Sequence, residues 1–461
     1  MRNERIHGAR VAAGALCAVA LAAVGGCAPG AGTAQQPAQS PAAAVSGAAV
    51  NTDPATMGQV TLTVWDQEVR GSQNEEIEAL NSAFMTKYPN ITIKRNAQSF
   101  DDLQKTLKLA LSGQDAPDVV EANNSRSQMG ALVTGGSLLA LDPYAMAYGW
   151  TDRYPATVLT LSSYSADGKT FGSGNLYGLP QMGEIVGFYY KKDKLAKLGL
   201  DIPTTWAQLE QQLATIKAAG ETPLLLGDQD KWPAIHVFGP IQGAHTPAEE
   251  VTALGLGNPG GDWTDATNVA AATQLHDWVA KGYFNSDVLG TAGDDAFATF
   301  STGKGVYYIG GSWYGADMKA SLQGQFGFFA PPPATAGDGA STTGGTSLPF
   351  AVTSASKNPD AAAAYINFLT SDDAMKVVAE KGNLPVLHSG DLAPASGVNS
   401  DIYAAYEQVT TKGHLLPYLD YATPTFSDTL GAALQDLIAG KQTPDQFAAT
   451  LQKDYGDFTK S

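Results

Sequence analysis

Thiols are almost missing from this sequence: of 461 residues only Cys17 and Cys27 are cysteine, both near the N-terminus. The body of the chain therefore excludes disulfides, zinc–thiolate centres and cysteine nucleophiles. Basic charge is also short, with 28 Lys and Arg against 45 Asp and Glu and a net charge of −17. Such a surface repels nucleic acid and anionic headgroups. The 6 histidines show no clustered metal-ligand spacing, and neither a Gly-x-Ser-x-Gly elbow nor a His-Glu-x-x-His helix occurs. Beyond the N-terminal segment, no apolar run reaches the ~18 residues that a membrane-spanning helix requires.

What the N-terminus does contain has the build of a secretory signal. Arg2, Arg5 and Arg10 form a basic region, and Val11 to Val24 an apolar stretch too short to stay in a bilayer as a spanning helix. The run Val24-Gly25-Gly26-Cys27 resembles the bacterial lipobox, in which the thiol is acylated and cleavage makes the cysteine the new N-terminus. Residues 1–26 are thus expected to be removed, which deepens the net charge to about −19. Residues 27–57 are Ala, Gly, Pro, Gln, Ser and Thr with few large apolar side chains, too few to offset the entropy of ordering, and read as a flexible tether. The remainder exceeds what one hydrophobic core usually supports, so two domains are expected.

Periodicity gives those domains a class. Val60 to Trp65 alternates with period two; Ile77, Leu80 and Phe84 recur at helical spacing until Tyr88-Pro89-Asn90; Ile91 and Ile93 mark a second strand. Leu103, Leu107 and Leu111 trace another helix, and Pro117-Asp118-Val119-Val120 a third strand. Strand, helix, strand, helix, strand implies a parallel sheet with right-handed crossovers. The pattern restarts at Ile185 to Tyr190, followed by a capping box at Thr205 and Gln208 and by a strand at Leu224 to Leu226. Further helices are expected from Asn358-Pro359 and from the capping box Thr443 to Gln446. Gly255-Leu256-Gly257-Asn258-Pro259-Gly260 spells a dinucleotide fingerprint, but Pro259 spoils the helix it should open, and it reads as a turn. The class is α/β in two lobes.

Taken in order, several segments carry a family resemblance. They include Val64-Trp65-Asp66, Ser112 to Val120, Gly136 to Asp142, Leu176 to Pro180, Gly187 to Asp193, Pro203 to Trp206, and Phe300 to Gly305 with Gly310-Gly311-Ser312-Trp313. Ser356 to Pro359, Gly382 to Pro385 and Gly440 to Pro444 complete the set. Over residues 58–458 the chain resembles the extracellular solute-binding proteins of ABC importers, in the branch that carries sugars and oligosaccharides. The resemblance implies a type II periplasmic-binding-protein-like fold, each lobe a mostly parallel sheet flanked by helices. It places residues 58–180 and 334–385 in the first lobe and 181–333 and 386–461 in the second. Crossings are implied near Leu179 to Val186, Phe326 to Pro333 and Leu384 to Leu387. It also implies a monomer at the outer face of the cell membrane, with no cofactor, no metal and no catalysis, that delivers its ligand to a two-subunit permease driven by an ATPase pair.

A sugar offers C–H faces and hydroxyl edges, so its site needs aromatic platforms beside carboxylates and amides. The resemblance puts Trp313 where a ring stacks, with Tyr314 beside it, and turns Gln181 and Glu184 toward the cleft. Asp66, Gln67 and Glu68 follow the first strand, and Asn123, Asn124, Ser125 and Arg126 the third, where open α/β sheets place ligand groups. Asp228 and Trp232 combine a carboxylate with an indole, and Gly345 permits close backbone approach. Two rivals remain: a solute other than a sugar (polyamine, peptide or sugar phosphate), with the acidic loops favouring a cation, and an exported glycan-active enzyme using paired carboxylates.

Overall fold

The computed structural model describes residues 50–318, 322 and 324–460. The expected signal peptide, Cys27 and most of the expected tether lie outside the described residues. The strands are β1 (Val60–Asp66), β2 (Ile91–Ala97), β3 (Val119–Glu121), β4 (Ser163–Tyr164), β5 (Asn175–Leu176), β6 (Gly183–Lys191), β7 (Leu224–Leu225), β8 (Tyr307–Gly311), β9 (Phe326–Phe329), β10 (Ser341–Thr346), β11 (Phe350–Val352) and β12 (His414–Leu416).

The first lobe is built on a sheet of order β11-β3-β1-β2, in which β1 runs parallel to both β2 and β3 and β11 antiparallel to β3. Its crossover helices, Gly71–Lys87 and Phe100–Leu111, bury the expected stripes Ile77, Leu80, Phe84 and Leu103, Leu107. Burying each such side chain contributes about 1.5–3 kcal/mol. Phe84 packs edge-on against Tyr365 and Phe368 at 5.3 Å, joining the first crossover to helix Pro359–Leu369. The second lobe has a mixed sheet of order β12-β10-β6-β8-β7. Long β6 lies antiparallel to β8 on one edge and to β10 and then β9 on the other, while β7 is parallel to β8 and β12 to β10. Gly187 admits the Phe328 ring at this junction, where a Cβ would collide with it.

Two boundaries differ from the sequence reading. Val50 to Gly58 is ordered against the first lobe: the Asn51 amide donates to Asp360 at 3.3 Å, and Asn90 Nδ2 donates to the Pro54 carbonyl at 2.9 Å. Asp53 caps the short turn Pro54–Thr56, so the folded chain begins earlier than residue 58. The second expected crossing also shifts. Ser341–Thr346 pairs with β6 and β12, so the chain changes sheet at residues 347–349 and not near Phe326 to Pro333. A strand of Ser, Thr and Gly carries no apolar alternation and could not announce itself. At the hinge, Leu179 bridges Phe350, Met182 bridges Pro385, and the Val386 amide donates to Gln181 at 3.1 Å. Three chain segments therefore lie side by side where the lobes join.

Candidate ligand-binding cleft

A cavity of about 90 Å³ lies between the lobes. The first lobe contributes Gln67, Arg70, Phe100 and Asn123; the hinge strands Glu184 and Thr346; the second lobe Trp232, His236, Trp313, Tyr418, Asp420 and Tyr421, with Ile235 and Leu348 completing the wall.

Local structure explains how the rings arrive there. Trp313 opens a short helix directly after β8, and its indole occupies the space where a Cβ on Gly311 would stand. Trp232 is the cap of helix Pro233–His245, whose proline at the first helical position pre-sets the turn. Asp228 anchors that turn by accepting from the Ala234 amide at 2.8 Å, and Lys231 takes a left-handed φ of 70° to complete it. One helical turn on, His236 meets Trp313 at 5.1 Å and Tyr418 at 5.3 Å, both edge-on, while Trp232 meets Trp313 at 6.4 Å. Phe100 stands at the start of its helix because Ser99 caps it, accepting from the Asp102 amide at 3.1 Å.

The electrostatics of this wall favour uncharged forms. Desolvation lowers His236 to about 3, so its imidazole is neutral. Desolvation also raises Glu184 to about 8 and Asp420 to about 6. The hydrogen bond that Tyr418 donates to Glu184 at 2.9 Å and the charge of Arg70 oppose the rise at Glu184, and the charge of Glu68 adds to it. Three buried polar atoms of the lining, Trp232 Nε1, His236 Nδ1 and Thr346 Oγ1, have no hydrogen-bond partner among the described residues. Leaving such groups unmatched costs about 1–3 kcal/mol each, which a hydroxyl-bearing ligand would remove.

Of the sequence-predicted residues, Gln67, Asn123, Glu184, Trp232 and Trp313 line this cavity. The other nine lie off its wall, each held by an internal partner. Asp66 is buried in a two-pronged pair with Arg95 at 2.7 Å and accepts from the Glu68 amide. Glu68 turns inward with it, into a low-dielectric site that raises it to about 7. Asn124 donates to the Leu161 carbonyl at 2.6 Å, and Ser125 caps the turn Arg126–Gly130. Arg126 donates to the carbonyls of Lys169 and Leu256. Gln181 donates to the Leu369 carbonyl at the hinge, and Asp228 serves its helix. Tyr314 is buried, stacked on Phe297 at 4.2 Å. Gly345 is paired with Glu184 in the sheet, facing Leu161. Sequence reasoning did not single out Arg70, Phe100, His236, Tyr418, Asp420 and Tyr421. His236 was within reach, standing four residues after Trp232 and so on the same helix face.

The lobes also touch around the cavity. Arg70 donates to both Asp294 oxygens, at 2.9 and 3.1 Å, and its Nε stands 3.4 Å from Asp317. Phe100 meets Trp232 at 6.2 Å, and Tyr421 donates to Asn124 Oδ1 at 3.5 Å.

Comparisons with known proteins agree with this architecture. The chain is 23% identical over 336 residues to the multiple sugar-binding protein of Streptococcus mutans, covering 72% of this chain and 76% of that one. It is 24% identical over 377 residues to a maltooligosaccharide ABC transporter solute-binding lipoprotein of Streptococcus pneumoniae, covering 78% and 82%. Among solved structures, a chitin oligosaccharide binding protein superposes with a TM-score of 0.74 at 22% identity, covering 87% of this chain and 100% of that one. The profile of bacterial extracellular solute-binding proteins matches residues 70–376, and the chain belongs to that family.

Proposed function

We propose that this protein captures a sugar outside the cell, closes its two lobes around it and hands it to the membrane permease of an ABC importer. One observation carries the reading: the interlobe cavity joins an aromatic wall of Trp232, Trp313, His236 and Tyr418 to buried donors and acceptors that lack partners among the described residues. Rings cover the C–H face of a pyranose, and the free polar atoms meet its hydroxyls. The naming of the curated relatives as sugar binders supports the same reading. Arg70 is the one cation among the described lining residues whose charge is fixed, and it is already bound to Asp294, which disfavours a sugar phosphate. No catalytic step is assigned, and the protein acts as a monomer.

A thermal-shift screen of mono- and oligosaccharides, with amino acids and polyamines as controls, tests this. A ligand at 100 times its Kd adds about 2.7 kcal/mol to apparent stability. A screen in which polyamines raise the transition and no sugar does would replace capture of sugars with capture of cations. Attachment through an acylated Cys27 belongs to the same proposal. Cys27→Ser should move the protein from the membrane pellet to the soluble fraction.

A further inference from the structure

Two buried carboxyls, Glu68 and Glu121, stand behind the cleft residue Gln67. β3 runs parallel to β1 with Val120 beside Trp65, which brings Glu121 level with the end of β1, where the chain turns into Gln67 and Glu68. The two acids hold Gln67 at both ends of the residue. Glu121 Oε2 accepts from its backbone N–H at 2.7 Å, and Glu68 Oε1 from its side-chain Nε2 at 3.2 Å. A carboxylate only accepts, so the amide nitrogen of Gln67 is the atom engaged and its carbonyl oxygen is left for a ligand hydroxyl.

The other two oxygens, Glu68 Oε2 and Glu121 Oε1, have no hydrogen-bond partner among the described residues. Cations in the neighbourhood are committed elsewhere: Arg95 to Asp66 and Glu78, and Arg70 to Asp294. Glu76 on helix Gly71–Lys87, Glu184 on β6 and Tyr365 on helix Pro359–Leu369 also face the pair, and none brings positive charge. Glu68 and Glu121 are close enough to bond each other, and two carboxyl groups bond only through a retained proton. Burial holds Glu121 well above the usual carboxylate range, and the charge of Glu68 adds to the rise.

We infer that Glu68 and Glu121 share one proton and act as positioning residues, fixing Gln67 so that its side-chain carbonyl meets a sugar hydroxyl. This rests on the sugar-capture reading and adds the means by which one cleft residue is held. Loss of the proton would set two carboxylates against each other behind Gln67 and displace it. Affinity should therefore fall as pH rises into the alkaline range.

Isothermal titration calorimetry on the full chain tests this with D-glucose, D-galactose, D-xylose, maltose and maltotriose, the tightest of them serving as the probe. Glu121→Ala should raise Kd at least about fivefold at neutral pH. Glu121→Gln, whose amide donates to Glu68 with no proton to lose, should recover most of that affinity. As pH rises, wild-type affinity should fall more steeply than that of Glu121→Gln, the slope common to both belonging to Glu184. In a Gln67→Ala background, Glu121→Ala should cost little further affinity. Equal pH slopes would overturn the shared proton, and a folded Glu121→Ala with wild-type Kd would overturn the positioning role. Should Glu121→Ala not fold, the comparison of slopes decides alone. If no sugar binds, the capture reading fails and the positioning role with it. The shared proton is then judged on the ligand-free protein, where wild type should lose more stability than Glu121→Gln as pH rises above 4.5, and equal losses would sink it.

Discussion

Glu184 shows how one side chain can report on the cleft. Its ordinary value is 4.5, and desolvation in the cavity wall raises it to about 8. Between those values the folded protein holds a proton that the unfolded chain has released, so stability falls as pH rises through the window from 4.5 to about 8. Glu184→Gln removes the titrating group and should flatten that part of a plot of Tm against pH. Trp313 is the complementary test on the ligand side. Trp313→Ala should weaken the identified sugar by about tenfold or more, about 1.4 kcal/mol, with the circular dichroism spectrum retained. An unchanged Kd would remove Trp313 from the site. At this scale the sequence was a partial guide. Residue type and position after a strand singled out Gln67 and Asn123, yet could not reveal that their neighbours Asp66 and Asn124 point at Arg95 and Leu161 instead. Those partners come from other segments, and alternation within one loop does not disclose which side chain turns inward.

Secondary elements were far more legible, because their signals are local. The stripes of the first two crossover helices are buried as their spacing implies, except that Leu111, at the end of the second, is only half-buried. The capping box at Thr443 and Gln446 forms in full, whereas at Thr205 only half of it does: Gln208 Oε1 accepts from Thr204 instead. Trp206 behind it is structural, stacked on Trp278 at 5.9 Å. Among the elements that failed to show was β10, whose small polar residues are ordered by β6 and β12 on either side. One element also joins stability to binding. Asp228→Ala removes the acceptor that holds the start of helix Pro233–His245 and should cost about 1–2 kcal/mol in urea unfolding. Because Trp232 and His236 ride on that helix start, affinity should fall in the same variant. A loss of stability with unaltered affinity would separate the helix from the site.

For the whole molecule, the balance between open and closed lobes is set by contacts distant in sequence. Arg70 and Asp294 are the clearest pair. Asp294 is 62% exposed, so the bridge contributes at most about 1 kcal/mol, roughly fivefold in the open-to-closed ratio. Arg70→Ala should therefore enlarge the radius of gyration of the ligand-free protein in small-angle scattering. It should also raise the apparent Kd by up to about fivefold, since only the closed fraction holds ligand fully. No local pattern could have supplied this pairing, or the return of Tyr418 and Tyr421 to a wall begun by Gln67.

The early stretch from Val50 to Gly58 has a mechanical meaning. It is stitched to Asp360 and Asn90, both in the first lobe. Any pull transmitted down the chain from upstream lands there. Under the proposed attachment through Cys27, such a leash would leave the half that carries Trp232 and Trp313 free to swing, like a door whose frame alone is bolted to the wall.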